Sequence, residues 1–171
     1  DYKNRLVAVS DKATGAPIAS YLYYADNRRA RKVVFSPTRL GVVEEETTFF
    51  YNGWQVCEEQ NGISEDTETT YVWSQVYIDE LVQLEQTAAH PLGAETFFVH
   101  QDVRADVVAL TDNAGNVAEK RFYDDYGRTY DEAKQPVAVR AVGNPYGFQG
   151  RRFDPETGLY YYRNRYYDPE T

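Results

Sequence analysis

The side chains in this sequence that can do chemistry are carboxylates beside prolines, two histidines, one cysteine, and a run of tyrosines and arginines near the end. Asp154 and Asp168 are the first candidates, because two carboxylates held close together split their pKa values and share a proton. Each is followed by a proline, Pro155 and Pro169. In Asp-Pro the carboxylate accepts backbone hydrogen bonds and the ring fixes φ for the next position, so both read as turns, as does Asp124-Asp125. His90, His100 and Asp102 offer zinc-type donors, but a metal site needs three or four converging ligands and the single cysteine, Cys57, lies far away in sequence. These histidines read as hydrogen-bonded structural groups. With no nucleophile elbow and no phosphate-binding glycine loop, the expectation is no catalytic residue, no metal and no cofactor.

The tyrosine and arginine run offers a different chemistry. If residues 160–167 form one strand, Tyr161, Arg163, Arg165 and Tyr167 share a face, and Tyr160, Tyr162, Asn164 and Tyr166 share the other. The first face can stack guanidinium groups on phenol rings, each pair contributing ~0.5 to 2 kcal/mol with burial. An exposed face of this kind also binds sugars. Tyr161, Arg163, Arg165 and Tyr167 are therefore the candidate stacking or glycan-contact face.

The elements that must position these groups read as β-strands. Of 171 residues, 16 are Tyr and 8 are Phe, against sparse Leu and Ile, a composition that buries aromatic faces on pleated surfaces. The net charge of -9 speaks against a nucleic-acid partner, which needs a basic stripe. The acidic runs at residues 44–46, 58–59 and 65–66 read as solvated faces and loop ends. No apolar run approaches the ~18 to 20 residues of a membrane span, and no signal-peptide pattern opens the chain. Cys57, between apolar neighbours, is expected to be a small buried hydrophobe. A sequence without Met that begins Asp1-Tyr2-Lys3 and stops on the turn-forming Asp168-Pro169-Glu170-Thr171 is expected to be a piece of something larger.

Aromatic runs that end on Asp or Asn recur along the chain. Taking Tyr24, Tyr51, Tyr77, Phe98 and Tyr123 as equivalent points gives steps of 21 to 27 residues, enough for two strands and two turns each. Asn52-Gly53 between Phe49-Phe50-Tyr51 and Trp54-Gln55-Val56 predicts a tight type I′ hairpin. Strands are expected at residues 4–10, 18–24, 30–35, 41–46, 47–51, 95–99, 107–111 and 117–123. Helix competes only at residues 71–86, where aromatic and β-branched content favours two strands with a bend near Asp79. A short strand Val137-Ala138-Val139 is expected in an otherwise irregular stretch.

Three motifs then carry a family resemblance. Asn144-Pro145-Tyr146-Gly147-Phe148-Gln149-Gly150-Arg151, Asp154-Pro155-Glu156-Thr157-Gly158-Leu159-Tyr160-Tyr161-Tyr162-Arg163 and Arg165-Tyr166-Tyr167-Asp168-Pro169 resemble the RHS-repeat-associated core motif. His100-Gln101-Asp102, Val107-Val108-Ala109-Leu110-Thr111-Asp112 and Phe122-Tyr123-Asp124-Asp125-Tyr126-Gly127-Arg128 resemble the YD repeats that precede it. The resemblance implies an all-β fold of antiparallel hairpin repeats, part of a spiralling YD-repeat β-sheet shell. Residues 1–143 would be YD-type repeats and residues 144–171 the truncated start of the core motif. Arg104-Ala105-Asp106 departs from the family's usual turn after the His-x-Asp element, so a differently shaped turn is expected there. The family's self-cleavage carboxylates lie beyond Thr171, so none carries over.

The expected function is a structural segment of a large bacterial β-shell protein, secreted or on the cell surface, that encapsulates a C-terminal polymorphic toxin and is non-enzymatic in itself. Its partners would be neighbouring repeats of the same polypeptide and an enclosed toxin domain. The alternatives are a surface adhesion protein binding cell-surface glycans and a carboxylate autoprotease region.

Overall fold

The computed structural model describes residues 1–137 and 141–171. Of the expected strand at Val137-Ala138-Val139, Ala138 and Val139 lie outside the described residues. The fold is all-β. Ten strands form one antiparallel meander in which every strand pairs with its sequence neighbours: β1 (Ala8–Ser10), β2 (Pro17–Tyr23), β3 (Arg29–Phe35), β4 (Val43–Asn52), β5 (Gln55–Asn61), β6 (Thr67–Trp73), β7 (Leu81–Gln86), β8 (Glu95–Gln101), β9 (Val107–Thr111) and β10 (Val117–Lys120). A two-stranded ladder follows, β11 (Phe122–Tyr123) with β12 (Thr129–Tyr130), and then a three-stranded one of β13 (Arg152–Asp154), β14 (Leu159–Tyr161) and β15 (Tyr166–Tyr167).

The meander is irregular in a repeating way. In β2–β3 Leu22 pairs with Arg31 and Tyr23 with Arg29, leaving Ala30 unpaired, and the same single-residue bulge falls at Cys57 in β5, Val82 in β7 and Val108 in β9. These bulges recur at the same rim, just inside the hairpin turns. A bulge reverses the alternation of faces, so the residues that point inward on these return strands are three apart rather than two. They are Arg29 and Lys32, Val56 and Glu59, Leu81 and Leu84, and Val107 and Leu110, all buried. The outgoing strands keep the two-residue period, as in Thr69, Tyr71 and Trp73 of β6.

The bulged residue pair also carries a hydrogen-bond ladder. Tyr23 Oη donates to Leu6 O at 2.6 Å, Tyr51 Oη to Arg29 O at 2.8 Å, Trp73 Nε1 to Val56 O at 2.7 Å, Gln101 Nε2 to Asp79 O at 3.0 Å and Tyr123 Oη to Val107 O at 2.8 Å. The equivalent points of the repeat are therefore Tyr23, Tyr51, Trp73, Gln101 and Tyr123. Tyr51 and Tyr123 of the sequence-based set keep their places; Tyr24, Tyr77 and Phe98 do not.

The turns follow one design. Asp102, Asp112 and Asp124 each accept backbone N–H groups two and four residues on through one carboxylate oxygen, the Asx geometry that closes a five-residue turn. Ala105, at φ 64, takes the left-handed position that Gly115 and Gly127 fill in the sister turns. The turn expected to be different has the same closure, Asp102 N to Asp106 O at 3.0 Å. At the Asn52-Gly53 hairpin, Asn52 pairs with Gln55 and of the two central residues only Gly53 has positive φ, at 61. That is the type II′ pattern, in place of the expected I′. Cys57 is corrected too: as the extra residue of a bulge it is half-buried rather than part of the core.

The inner face is completed by the chain itself. Phe49, Val56, Tyr71, Leu81, Leu84, Phe97, Val107 and Leu110 from the sheet form one core cluster with Val142 and Tyr146. The Tyr146 ring meets Tyr71 and Trp73 edge-on, at 5.3 and 5.0 Å between centroids. Residues 144–167 thus lie across the inner face of the meander.

Candidate functional site

The crossing segment is held at its start by donors from the last repeat. Arg121, buried, donates through Nη1 to Tyr146 O at 2.5 Å and through Nη2 to Asn144 O at 3.0 Å. Asp106 Oδ1 accepts Gln149 N–H at 2.6 Å, while burial pushes the Asp106 carboxyl above its ordinary range. Phe148 then seats against Gly127, where an added Cβ would stand 2.6 Å from the ring. Gly150 is as tightly placed, because a Cβ there would lie 2.3 Å from Asp79 O. The Tyr160 hydroxyl donates to Gly127 O at 2.9 Å.

Two ion pairs lie under this segment. Arg29 of β3 reaches Asp154 of β13 through both Nη atoms, at 2.5 Å to Oδ2 and 3.0 Å to Oδ1, with both side chains sealed from solvent. Arg152 makes the equivalent fork to Glu59 of β5. The two guanidinium groups stand 4.9 and 4.8 Å from the Phe49 ring centre, and Arg29 also lies 4.5 Å from that of Tyr161. Burial works to raise the Asp154 carboxyl, but Arg29, with Lys32 and Arg152 behind it, holds it below the usual carboxylate range. Burial opposes the charge on Arg29 as well, and Asp154 keeps it well above the ordinary guanidinium range. Both groups are charged at neutral pH. At this depth a broken pair leaves an uncompensated ion, a cost of about 3–5 kcal/mol.

The expected strand at residues 160–167 is a hairpin. β14 ends at Tyr161, Arg163 takes a left-handed φ of 61, and β15 begins at Tyr166, with Tyr160 opposite Tyr167 and Tyr161 opposite Tyr166. Tyr161 and Tyr167 consequently fall on opposite faces. Tyr161 is buried and its hydroxyl accepts Arg29 N–H at 3.1 Å. Arg163 reaches Asp79 Oδ1 at 2.5 Å, Arg165 stands 5.5 Å from the Tyr162 ring centre, and the Tyr167 hydroxyl donates to Tyr126 O at 2.8 Å.

The carboxylate candidates are separated. Asp154 is consumed by Arg29, whereas Asp168 accepts Glu170 N–H at 2.8 Å within its own turn. His90 Nδ1 accepts Leu92 N–H at 3.1 Å and burial lowers its pKa; His100 Nε2 lies 3.0 Å from Thr111 Oγ1. The residues that sequence reasoning missed are Arg29, Glu59 and Asp79. The signal that would have found Arg29 and Glu59 is their place in the three-residue spacing of the return strands.

A crystal structure of TcdB2-TccC3-TEV superposes on 99% of this chain with a TM-score of 0.67 at 18% identity, the chain covering 8% of that one. The fold is RHS-related. In sequence the chain is 30% identical over 170 residues to the tRNA3(Ser)-specific nuclease WapA of Bacillus spizizenii. It is 32% identical over 197 residues to the toxin protein Tse5 of Pseudomonas aeruginosa, and 26% identical over 184 residues to the double-stranded DNA deaminase toxin A of Burkholderia cenocepacia. Each alignment takes in 99% of this chain, which spans 6%, 14% and 13% of the respective relatives. No family model matches. These names overturn the expectation of a chain that is non-enzymatic in itself: relatives aligned over 99% of it are named for a nuclease and a deaminase activity.

Proposed function

We propose that this chain is a wall segment of a bacterial, exported RHS/YD-repeat toxin protein, and that the wall encloses a C-terminal toxin domain. The observation that carries the reading is that one stretch, matched over 99% of its length, recurs in proteins named for different activities, a tRNA nuclease and a DNA deaminase. What such proteins share is the frame in which each activity sits. The architecture suits a frame, since a meander in which each strand pairs with its sequence neighbours extends by adding further hairpins. Residues 144–167, folded back over the inner face and held by buried ion pairs, tie that frame to the sequence that leaves it. Tyr161 and Arg165 serve as stacking groups within it.

The test is protection of the enclosed domain in the full-length protein. Limited proteolysis of the parent should spare its toxin domain, and Asp154→Asn, which unpairs Arg29, should expose that domain to cleavage at least about tenfold faster. A toxin domain cut equally fast in both proteins contradicts enclosure by this wall.

A further inference from the structure

Beside the two buried ion pairs lies a narrow cleft whose lining is positive in an acidic protein. Arg28, Arg29, Arg151, Arg152 and Arg163 contribute to it, and Asp79 is its one carboxylate. Arg28 is paired with Asp26, Arg29 with Asp154 and Arg152 with Glu59. Arg151 and Arg163 divide a single partner, Asp79, whose Oδ2 lies 2.7 Å from Arg151 and whose Oδ1 lies 2.5 Å from Arg163. Five guanidinium groups thus meet four carboxylates, which leaves one positive charge in excess at the Arg151 and Arg163 pair.

Donors are left over as well as charge. Arg151 Nε and Arg29 Nε are both buried and reach no acceptor among the described residues. Each arginine carries five N–H donors in a planar fork that matches oxyanion geometry, and Asp79 occupies only one nitrogen of Arg151 and one of Arg163. Burial lowers the pKa of Arg151, with Arg163 adding to the effect and Asp79 opposing it, the response of a cation that gains from a further counterion. Arg163 is held there by a left-handed backbone, φ 61. The cleft has about 40 Å³ of open space, room for roughly three waters or one compact group and not for a ring.

We propose that this cleft is an oxyanion site that takes one carboxylate or phosphate group between Arg151 and Arg163, with Arg28 at its side. The ligand enters as a monoanion or dianion, neutralises the excess charge, and accepts from the guanidinium edges that Asp79 leaves open. The inference does not depend on the wall reading.

The test is thermal unfolding of the 171-residue chain in sodium phosphate, in sodium acetate and in sodium chloride at matched ionic strength. A specific site gives a saturable rise in Tm over chloride, about 5 °C or more at a hundredfold excess over Kd. Response to phosphate alone identifies a phosphoryl source, and response to acetate alone or to both identifies carboxylate as sufficient. Arg151→Gln should abolish the rise and Arg28→Gln should shift half-saturation about tenfold upward, while Arg165→Gln, stacked outside the cleft on Tyr162, should leave it unchanged. Equal behaviour of all three salts overturns the proposal, and so does wild-type half-saturation in Arg28→Gln, which carries the test if Arg151→Gln does not fold.

Discussion

The Arg29–Asp154 pair shows how one carboxylate is assigned its role by its surroundings. Asp154 looks from sequence like half of an acid/base dyad, yet the structure gives it a bidentate guanidinium and leaves its candidate partner, Asp168, in a turn of its own. Asp154→Asn keeps the volume and removes the charge, so Arg29 remains buried without a counterion. The expected loss is about 3–5 kcal/mol in the urea unfolding free energy. Replacing both partners, Arg29→Met with Asp154→Leu, should recover most of that loss, because it is the orphaned ion rather than the missing bond that costs stability. A double variant as unstable as the single one would show the pair to be needed for more than its charge balance. Exposed Glu65, by contrast, spends stability on backbone alone, at φ 63. Left-handed geometry costs an L-residue about 1–2 kcal/mol and glycine little, so Glu65→Gly should raise the unfolding midpoint by the equivalent of roughly 0.5–1 kcal/mol.

At the scale of elements, the crossing segment makes its docking dependent on pH. Burial raises the Glu156 carboxyl above its ordinary 4.5, with Asp154 and Glu45 adding to the shift and Lys32 opposing it. Between 4.5 and the raised value the folded chain holds a proton that the unfolded chain has released, so this group's contribution falls as pH rises through that window. The cost persists at neutral pH. Glu156→Gln should therefore be more stable than the parent at pH 7 and no more stable below about pH 4, measured as urea midpoints across the range. A difference that is constant with pH would remove Glu156 as its source. The strands themselves were largely legible: aromatic and β-branched runs, Asp turns and Asn52-Gly53 placed most hairpins, and residues 71–86 divide into β6 and β7 around Asp79 as their composition indicates. What a two-residue period could not show was the inner face of the return strands. Leu81 and Leu84, three apart, read as a fragment of helix because the unpaired Val82 between them is invisible until the partner strand is known. The candidate site was hidden for a related reason. Its two buried forks, Arg152 with Glu59 and Arg29 with Asp154, join residues more than ninety positions apart, where local pattern carries no information.

For the whole molecule, the meander has β1 and β10 at its edges, neither paired on its outer side among the described residues. A row of free N–H and C=O groups recruits further strands, so the 171-residue chain should associate with rising concentration in sedimentation velocity. Val117→Lys, which places a charge on the exposed β10 edge, should weaken that association. A chain monomeric at every concentration would mean that the edges are protected by other means. The bulges have a consequence of another kind. One-residue deletions are usually ruinous inside a strand, since they exchange its two faces. Removing Cys57 would instead leave Val56 and Glu59 facing inward as before and merely straighten β5, and the same holds for Ala30, Val82 and Val108 in their strands. A gene for such a sheet can therefore lose single codons at these places and keep its reading of inside and outside, so that the bend of the sheet is adjusted by codon count while its chemistry stays intact.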